Sequence, residues 1–170
     1  MTPIARRAFI VAFAVVPISP VALAVNALPD SRFVGFAETV NDFEIESGQL
    51  ALTRSSNENV RAYATRAIAE HTAIADSLRR NRNEAGVTMA PDEEVRKIAG
   101  DAMTRLNSLQ GAAFGTAFAN AQLRVQTAAV DQYGAYSQNG KSGPLRRYAQ
   151  ETLPKSQALI EYAKRLASGR

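Results

Sequence analysis

The 170-residue chain contains no cysteine, no tryptophan and a single histidine. Without thiols it can form no disulfide, offer no thiolate to a metal and use no cysteine nucleophile, so its stability in an oxidising compartment must come from packing. One histidine confines any Ser-His-Asp arrangement to His71, and no serine stands in the Gly-x-Ser-x-Gly context of a nucleophile elbow. The segment Gly140-Lys141-Ser142-Gly143 is a turn by composition and lacks the spacing that cradles phosphate. Charge is nearly balanced, with 20 Lys+Arg against 16 Asp+Glu. The basic residues are scattered along helix faces rather than gathered with aromatics, which excludes nucleic acid as the expected partner. Period-two alternation is missing as well, so no strand is expected.

What is present begins with an export pattern. Arg6 and Arg7 precede an uncharged run from Ala8 to Ala24 that closes on Ala22-Leu23-Ala24. A positive start, an apolar stretch and small residues at −3 and −1 define a cleaved signal peptide over residues 1–24. The order Arg6-Arg7-Ala8-Phe9-Ile10 also resembles a twin-arginine signal. Pro17 and Pro20 interrupt the run, and it is short beside the roughly 20 apolar residues of a bilayer crossing. The expectation is a periplasmic or secreted protein with no transmembrane span after cleavage. Residues 25–30 read as a flexible lead-in and residues 31–170 as one domain, of a size that buries a single core. Losing Arg6 and Arg7 leaves a mature net charge of only +2.

Beyond Asp30, apolar residues recur at three- and four-residue spacing. The first helix is expected from Ser31, read as its N-cap, to Arg54, with an inward stripe through Phe33, Phe36, Val40, Phe43 and Ser47. A turn at Ser55-Ser56-Asn57 leads to a second helix through Val60, Tyr63, Ala67, Ile74 and Leu78, stopped by Gly86. A shorter helix, with Pro91 read as its first residue, uses Val95, Ile98, Ala102 and Leu106 and ends near Gly111. The fourth, from Ala112 to Gln138, turns Phe114, Phe118, Val125, Ala129 and Tyr133 inward. The last starts at Pro144 and contains Pro154, where a kink or one lost hydrogen bond is expected. Two long hairpins joined by a short crossover helix make an all-α, ferritin-like four-helix bundle.

Glu44 and His71 fall on the apolar seams of consecutive helices, about 12 residues before and 15 after Ser56, which puts them within one helical turn of each other. Gln126 and Leu159 lie at similar distances either side of Lys141-Ser142, so four helices direct four side chains toward one level. Glu44 and His71 are the candidate metal ligands, with Gln126 completing the set. The plainer alternative is a buried Glu44–His71 ion pair, which satisfies both residues without a metal. Gln122 and Gln126 read as polar core contacts. The five tyrosines, Tyr63, Tyr133, Tyr136, Tyr148 and Tyr162, read as bundle packing with hydroxyls at the rim.

The stretch from Phe33 to Leu78, with Glu44-Ile45-Glu46-Ser47-Gly48-Gln49-Leu50-Ala51, Val60-Arg61-Ala62-Tyr63-Ala64 and Glu70-His71-Thr72, resembles an exported bacterial ferritin-like domain of unknown function, the domain of unknown function 4142 family. Leu109-Gln110-Gly111-Ala112-Ala113-Phe114, Phe118, Ala121-Gln122 and Thr152-Leu153-Pro154 extend the resemblance over nearly all of the mature chain. The resemblance implies an Asp after the fourth-helix Phe, a His further along that helix and a His after the Leu-Pro of the last. Those places read Gly115, Gln126 and Leu159 here, and the Asp before the second-helix His reads Glu70. A carboxylate with three imidazoles would hold iron, manganese or zinc, whereas one imidazole, one carboxylate, an amide and an isobutyl group make a poor substitute. Di-iron bundles need a Glu-x-x-His repeat, and Ile68 stands where that Glu would precede His71.

Two readings follow. The first is a non-catalytic envelope scaffold or interaction module with a degenerate metal site and an unidentified envelope partner, which points away from an enzyme. The second is a metal-binding or redox protein using Glu44 and His71.

Overall fold

The computed structural model describes residues 25–169, so the signal-peptide reading lies outside the described residues. Within them there are five helices and no strand: α1 (Asp30–Arg54), α2 (Glu58–Ala85), α3 (Glu93–Asn107), α4 (Gly111–Asn139) and α5 (Gly143–Ala167). The helix stripes read from the sequence are the buried faces. Phe33, Phe36, Val40, Phe43, Val60, Tyr63, Ile74, Leu78, Phe114, Phe118, Val125, Ala129 and Tyr133 are all buried.

The ends of the helices depart from expectation in three places, the first being that α3 stops at Asn107 and Gly111 opens α4 instead of closing α3. α1 begins at Asp30, behind Pro29, and Ser31 lies inside it rather than capping it. Pro91 stands outside α3; Asp92 is the N-cap, accepting from the Val95 N–H at 3.0 Å while Arg32 of α1 grips its other oxygen at 2.6 Å. The remaining punctuation agrees. Asn57 accepts from the N–H groups of Asn59 and Val60 to start α2, and Gly86, at φ 63°, closes it in the left-handed conformation that costs glycine least. α5 runs as one helix through Pro154.

α1 packs along α2 and α4 along α5, with further contact between α2 and α5 and between α1 and α4. α3 carries the chain back along the bundle. Its far end is tied to the α1 terminus by Arg54, which donates to the carbonyls of Asn107 (2.7 Å) and Leu109 (3.1 Å). α4 therefore starts at the end where α2 starts, and the two run in the same direction.

The interior has two apolar clusters with a polar layer between them. One gathers Phe33, Phe36, Val40, Ile74, Tyr133, Tyr136 and Tyr148, with Ala27 and Leu28 packed against it. The other gathers Ala51, Tyr63, Ala67, Leu106, Phe114, Phe118 and Leu159. The α2–α3 connection closes on α1 at Gly35, where an added methyl would overlap the Ala90 carbonyl. Ala90 also donates its N–H to Ser31 at 3.0 Å, which pins the two backbones together. Gly35→Ala is expected to lose about 1–3 kcal/mol by forcing them apart. Thermal unfolding would register this as a drop of roughly 2–4 °C per kcal/mol in a chain of this size; an unchanged midpoint would mean that the connection yields freely.

Candidate functional site

The polar layer is built from residues that interrupt the apolar stripes at helical spacing. α1 supplies Asn41, Glu44 and Ser47, three residues apart and therefore on one face, while α2 supplies His71 and α4 supplies Gln122 and Gln126. All six side chains are at most 1 % exposed. The structure brings Glu44, His71 and Gln126 together as helical spacing requires. Leu159 is equally buried but belongs to the apolar cluster around Tyr63, Ala67 and Phe118. Glu70, at the place of the family's Asp, turns to the helix surface and pairs with Arg66 at 2.8 Å.

The expected Glu44–His71 ion pair does not form. His71 instead sits between two carboxamides: its Nδ1 is 2.9 Å from Asn41 Oδ1, and its Nε2 is 3.2 Å from Gln126 Nε2. An amide nitrogen can only donate and an amide oxygen only accept. The ring is thereby assigned as the neutral tautomer, with Nδ1–H donating to Asn41 and Nε2 accepting from Gln126. Burial pushes the His71 pKa down to about 3, in keeping with a neutral ring.

Glu44 is held from the α4 side. With the Gln122 amide oriented so that donors face acceptors, its nitrogen lies 2.7 Å from both carboxyl oxygens and its oxygen accepts from Ser47 Oγ at 2.8 Å. The Tyr63 hydroxyl stands 3.3 Å from the same amide. Burial drives the Glu44 carboxyl well above the usual carboxylate range, opposed by the nearby Gln126 amide. Asn41, Ser47 and Tyr63 are members of this layer that sequence reasoning did not assign to it. Their signal was a polar side chain standing one helical turn from Glu44, or on the same stripe as His71.

Tyr162 is half-buried at the rim as expected, and the other four tyrosines depart from that expectation. Tyr63, Tyr133, Tyr136 and Tyr148 are all fully buried. Tyr136 stacks on Phe33 with centroids 3.6 Å apart, Tyr133 and Tyr148 meet edge to face at 5.9 Å, and the Tyr136 hydroxyl donates to Asp30.

This donor set does not fit an iron, manganese or zinc shell. It contains one carboxylate and one imidazole, with both imidazole nitrogens already bonded to amides. Among the described residues no three of His, Cys, Asp and Glu gather at one point. What the layer does chemically is link polar groups of three helices, α1, α2 and α4, through hydrogen bonds.

Fold and interior thus define a class: an all-helical bundle whose centre is a layer of hydrogen-bonded carboxamides around one histidine and one carboxyl group. The chain belongs to the family described as Domain of unknown function (DUF4142), which matches residues 19–166. No curated protein and no solved structure matches it. No helix among the described residues is long and apolar enough to cross a membrane.

Proposed function

We propose that this chain is an exported, non-catalytic module of the cell envelope, a ferritin-like four-helix arrangement whose metal centre has been replaced by a hydrogen-bonded core. The observation that carries this reading is the occupation of both His71 nitrogens by Asn41 and Gln126. A metal would have to displace at least one of these bonds and would gain only Glu44 as a charged ligand. The order of two hairpins with a crossover helix between them supports the ferritin-like arrangement. Arg6, Arg7 and the small-residue close at Ala22 and Ala24 support export. On this reading the bundle presents its surface to a partner in the envelope, and the polar layer fixes how its helices pair.

The competing reading keeps Glu44 and His71 as metal ligands. Elemental analysis of the mature protein, exported with iron, manganese and zinc available and compared with a Glu44→Ala/His71→Ala variant, separates the two. The expected result is no metal above the variant's background in a folded, helical protein. Near-stoichiometric metal that disappears in the variant would overturn the scaffold reading and make oxidase or peroxide assays the next step.

A further inference from the structure

We propose that the mature N-terminus is itself a ligand of the bundle: once the signal peptide is removed after Ala24, the new α-ammonium group of Val25 and its side chain dock into a cavity between α1, α3 and α4. The proposal rests on the export reading above. Hydrolysis of the Ala24–Val25 peptide bond by a signal peptidase consumes one water, leaves the carboxylate on Ala24 and gives Val25 a free amine. That amine is mostly protonated at neutral pH, because an α-amino group titrates at about 7.7–8.0. While bonded to Ala24 the same nitrogen is a neutral amide.

The cavity measures about 240 Å³, ample for an isopropyl group, and Val25 forms part of its wall. Leu28, Phe36, Ile98 and Ala128 make the apolar side. Asp92, Glu94, Asp131 and Gln132 make the polar side, and among the described residues lining the space there is no Lys, Arg or His. Asp92 is already engaged by Arg32 of α1 and by the Val95 N–H. Glu94 and Asp131 join no ion pair among the described residues, where the α3 cations Arg96 and Lys97 are taken by Glu93 and Asp101. Two carboxylates, one from α3 and one from α4, therefore border the cavity without a cation, and a positive group beside them is favoured.

Val25 is 43 % exposed, one of only two large apolar residues among those described that face solvent. Ala27 and Leu28 are already packed against the core, so the terminus is tethered within reach of the cavity. Docking buries the valine against the apolar side and brings its ammonium to the acidic one, which a neutral amide at this position cannot do. The occupant is chosen by chemistry and by tether: an apolar body carrying one cation, held at high effective concentration by its own chain.

The test compares a chain released from an N-terminal fusion so that it begins at Val25 with one that begins at Ala24, titrating the α-amino group by nuclear magnetic resonance and following thermal unfolding. In the Val25 chain the α-amino group is expected to titrate above the ordinary range of about 7.7–8.0, to return to that range in Glu94→Gln/Asp131→Asn, and to stay within it in the Ala24 chain. The Val25 chain is also expected to melt about 2–4 °C above the Ala24 chain, the worth of one side chain newly buried in part. An ordinary titration with equal midpoints would overturn the proposal. So would a raised titration that survives Glu94→Gln/Asp131→Asn, by placing the amine elsewhere. Release from a fusion makes these results independent of where the cell cleaves. N-terminal sequencing of the exported protein decides that separately: a start at Val25 supports the proposal, and any other start overturns it at the export step rather than at the cavity.

Discussion

His71→Leu is expected to cost about 2–6 kcal/mol of folding free energy, because it orphans two buried carboxamides at about 1–3 kcal/mol each. Asn41 Oδ1 and Gln126 Nε2 are the bonds removed. The other atom of each amide, Asn41 Nδ2 and Gln126 Oε1, has no close hydrogen bond that could take over when the ring is removed. Urea unfolding followed by circular dichroism measures the loss, and double mutants identify its cause. Adding Gln126→Leu to His71→Leu should recover part of the stability, with a coupling of about 0.5–3 kcal/mol, since one orphan is then removed. Adding Glu44→Gln should recover less, since Glu44 meets His71 only through the shared Gln126 amide. The opposite pattern, rescue by Glu44→Gln and none by Gln126→Leu, would reinstate the ion pair that the geometry excludes.

Stability is expected to peak in mildly acidic solution and to fall on both sides. The folded His71 is depressed to about 3 from an ordinary value near 6.5, so the unfolded chain binds the extra proton between those limits and stability drops as pH falls through them. Glu44 acts in the reverse sense. Its carboxyl is raised, so the folded chain retains a proton that the unfolded chain has released above about 4.5, and stability drops as pH rises. Above about 4.5 the two slopes oppose each other for as long as the folded Glu44 carboxyl stays protonated, which levels the profile. Above 6.5 the His71 contribution is complete, and the remaining loss with rising pH belongs to Glu44. Glu44→Gln, which keeps an oxygen for the Gln122 amide, should level the alkaline limb and leave the acid limb in place. An alkaline limb that persists unchanged in Glu44→Gln would assign the loss to another group.

Much of this architecture is legible from residue spacing alone. A stripe such as Phe33-Phe36-Val40-Phe43 can be buried only by a helix, and Gly86 and Asn57 punctuate the chain for reasons local to the backbone. The misplaced caps share a different cause. Ser31 is a good capping residue, yet α1 starts behind Pro29. Asp92 displaces Pro91 with help from Arg32, which is 60 residues away in sequence and therefore invisible to local propensity. The candidate site divides in the same way. That Glu44, His71 and Gln126 meet follows from the rise per residue, because a helix keeps its register over many turns. Which atom bonds which does not follow, because Asn41 and Gln126 compete with Glu44 for one ring and helical spacing does not rank them. The tyrosines were ambiguous for a related reason: a phenol on an inward stripe ends in water or in a polar core depending on what its neighbours offer.

The first turn of α1 has a consequence for how the chain comes together. Phe33 stacks on Tyr136 and meets Tyr133 and Tyr148 edge to face, Asp30 accepts from Tyr136 across 106 positions of sequence, and Ser31 and Arg32 engage Ala90 and Asp92. The aromatic anchors of α1, the first of the described helices, are therefore groups synthesised about a hundred residues later. Closing contacts so distant in sequence is entropically slow. α1 can coil against α2 early, and Ser31 and Arg32 can meet Ala90 and Asp92 once α3 begins, but Asp30 and Phe33 reach their aromatic partners only when the second hairpin exists, which makes this turn the latch of the assembly rather than its seed.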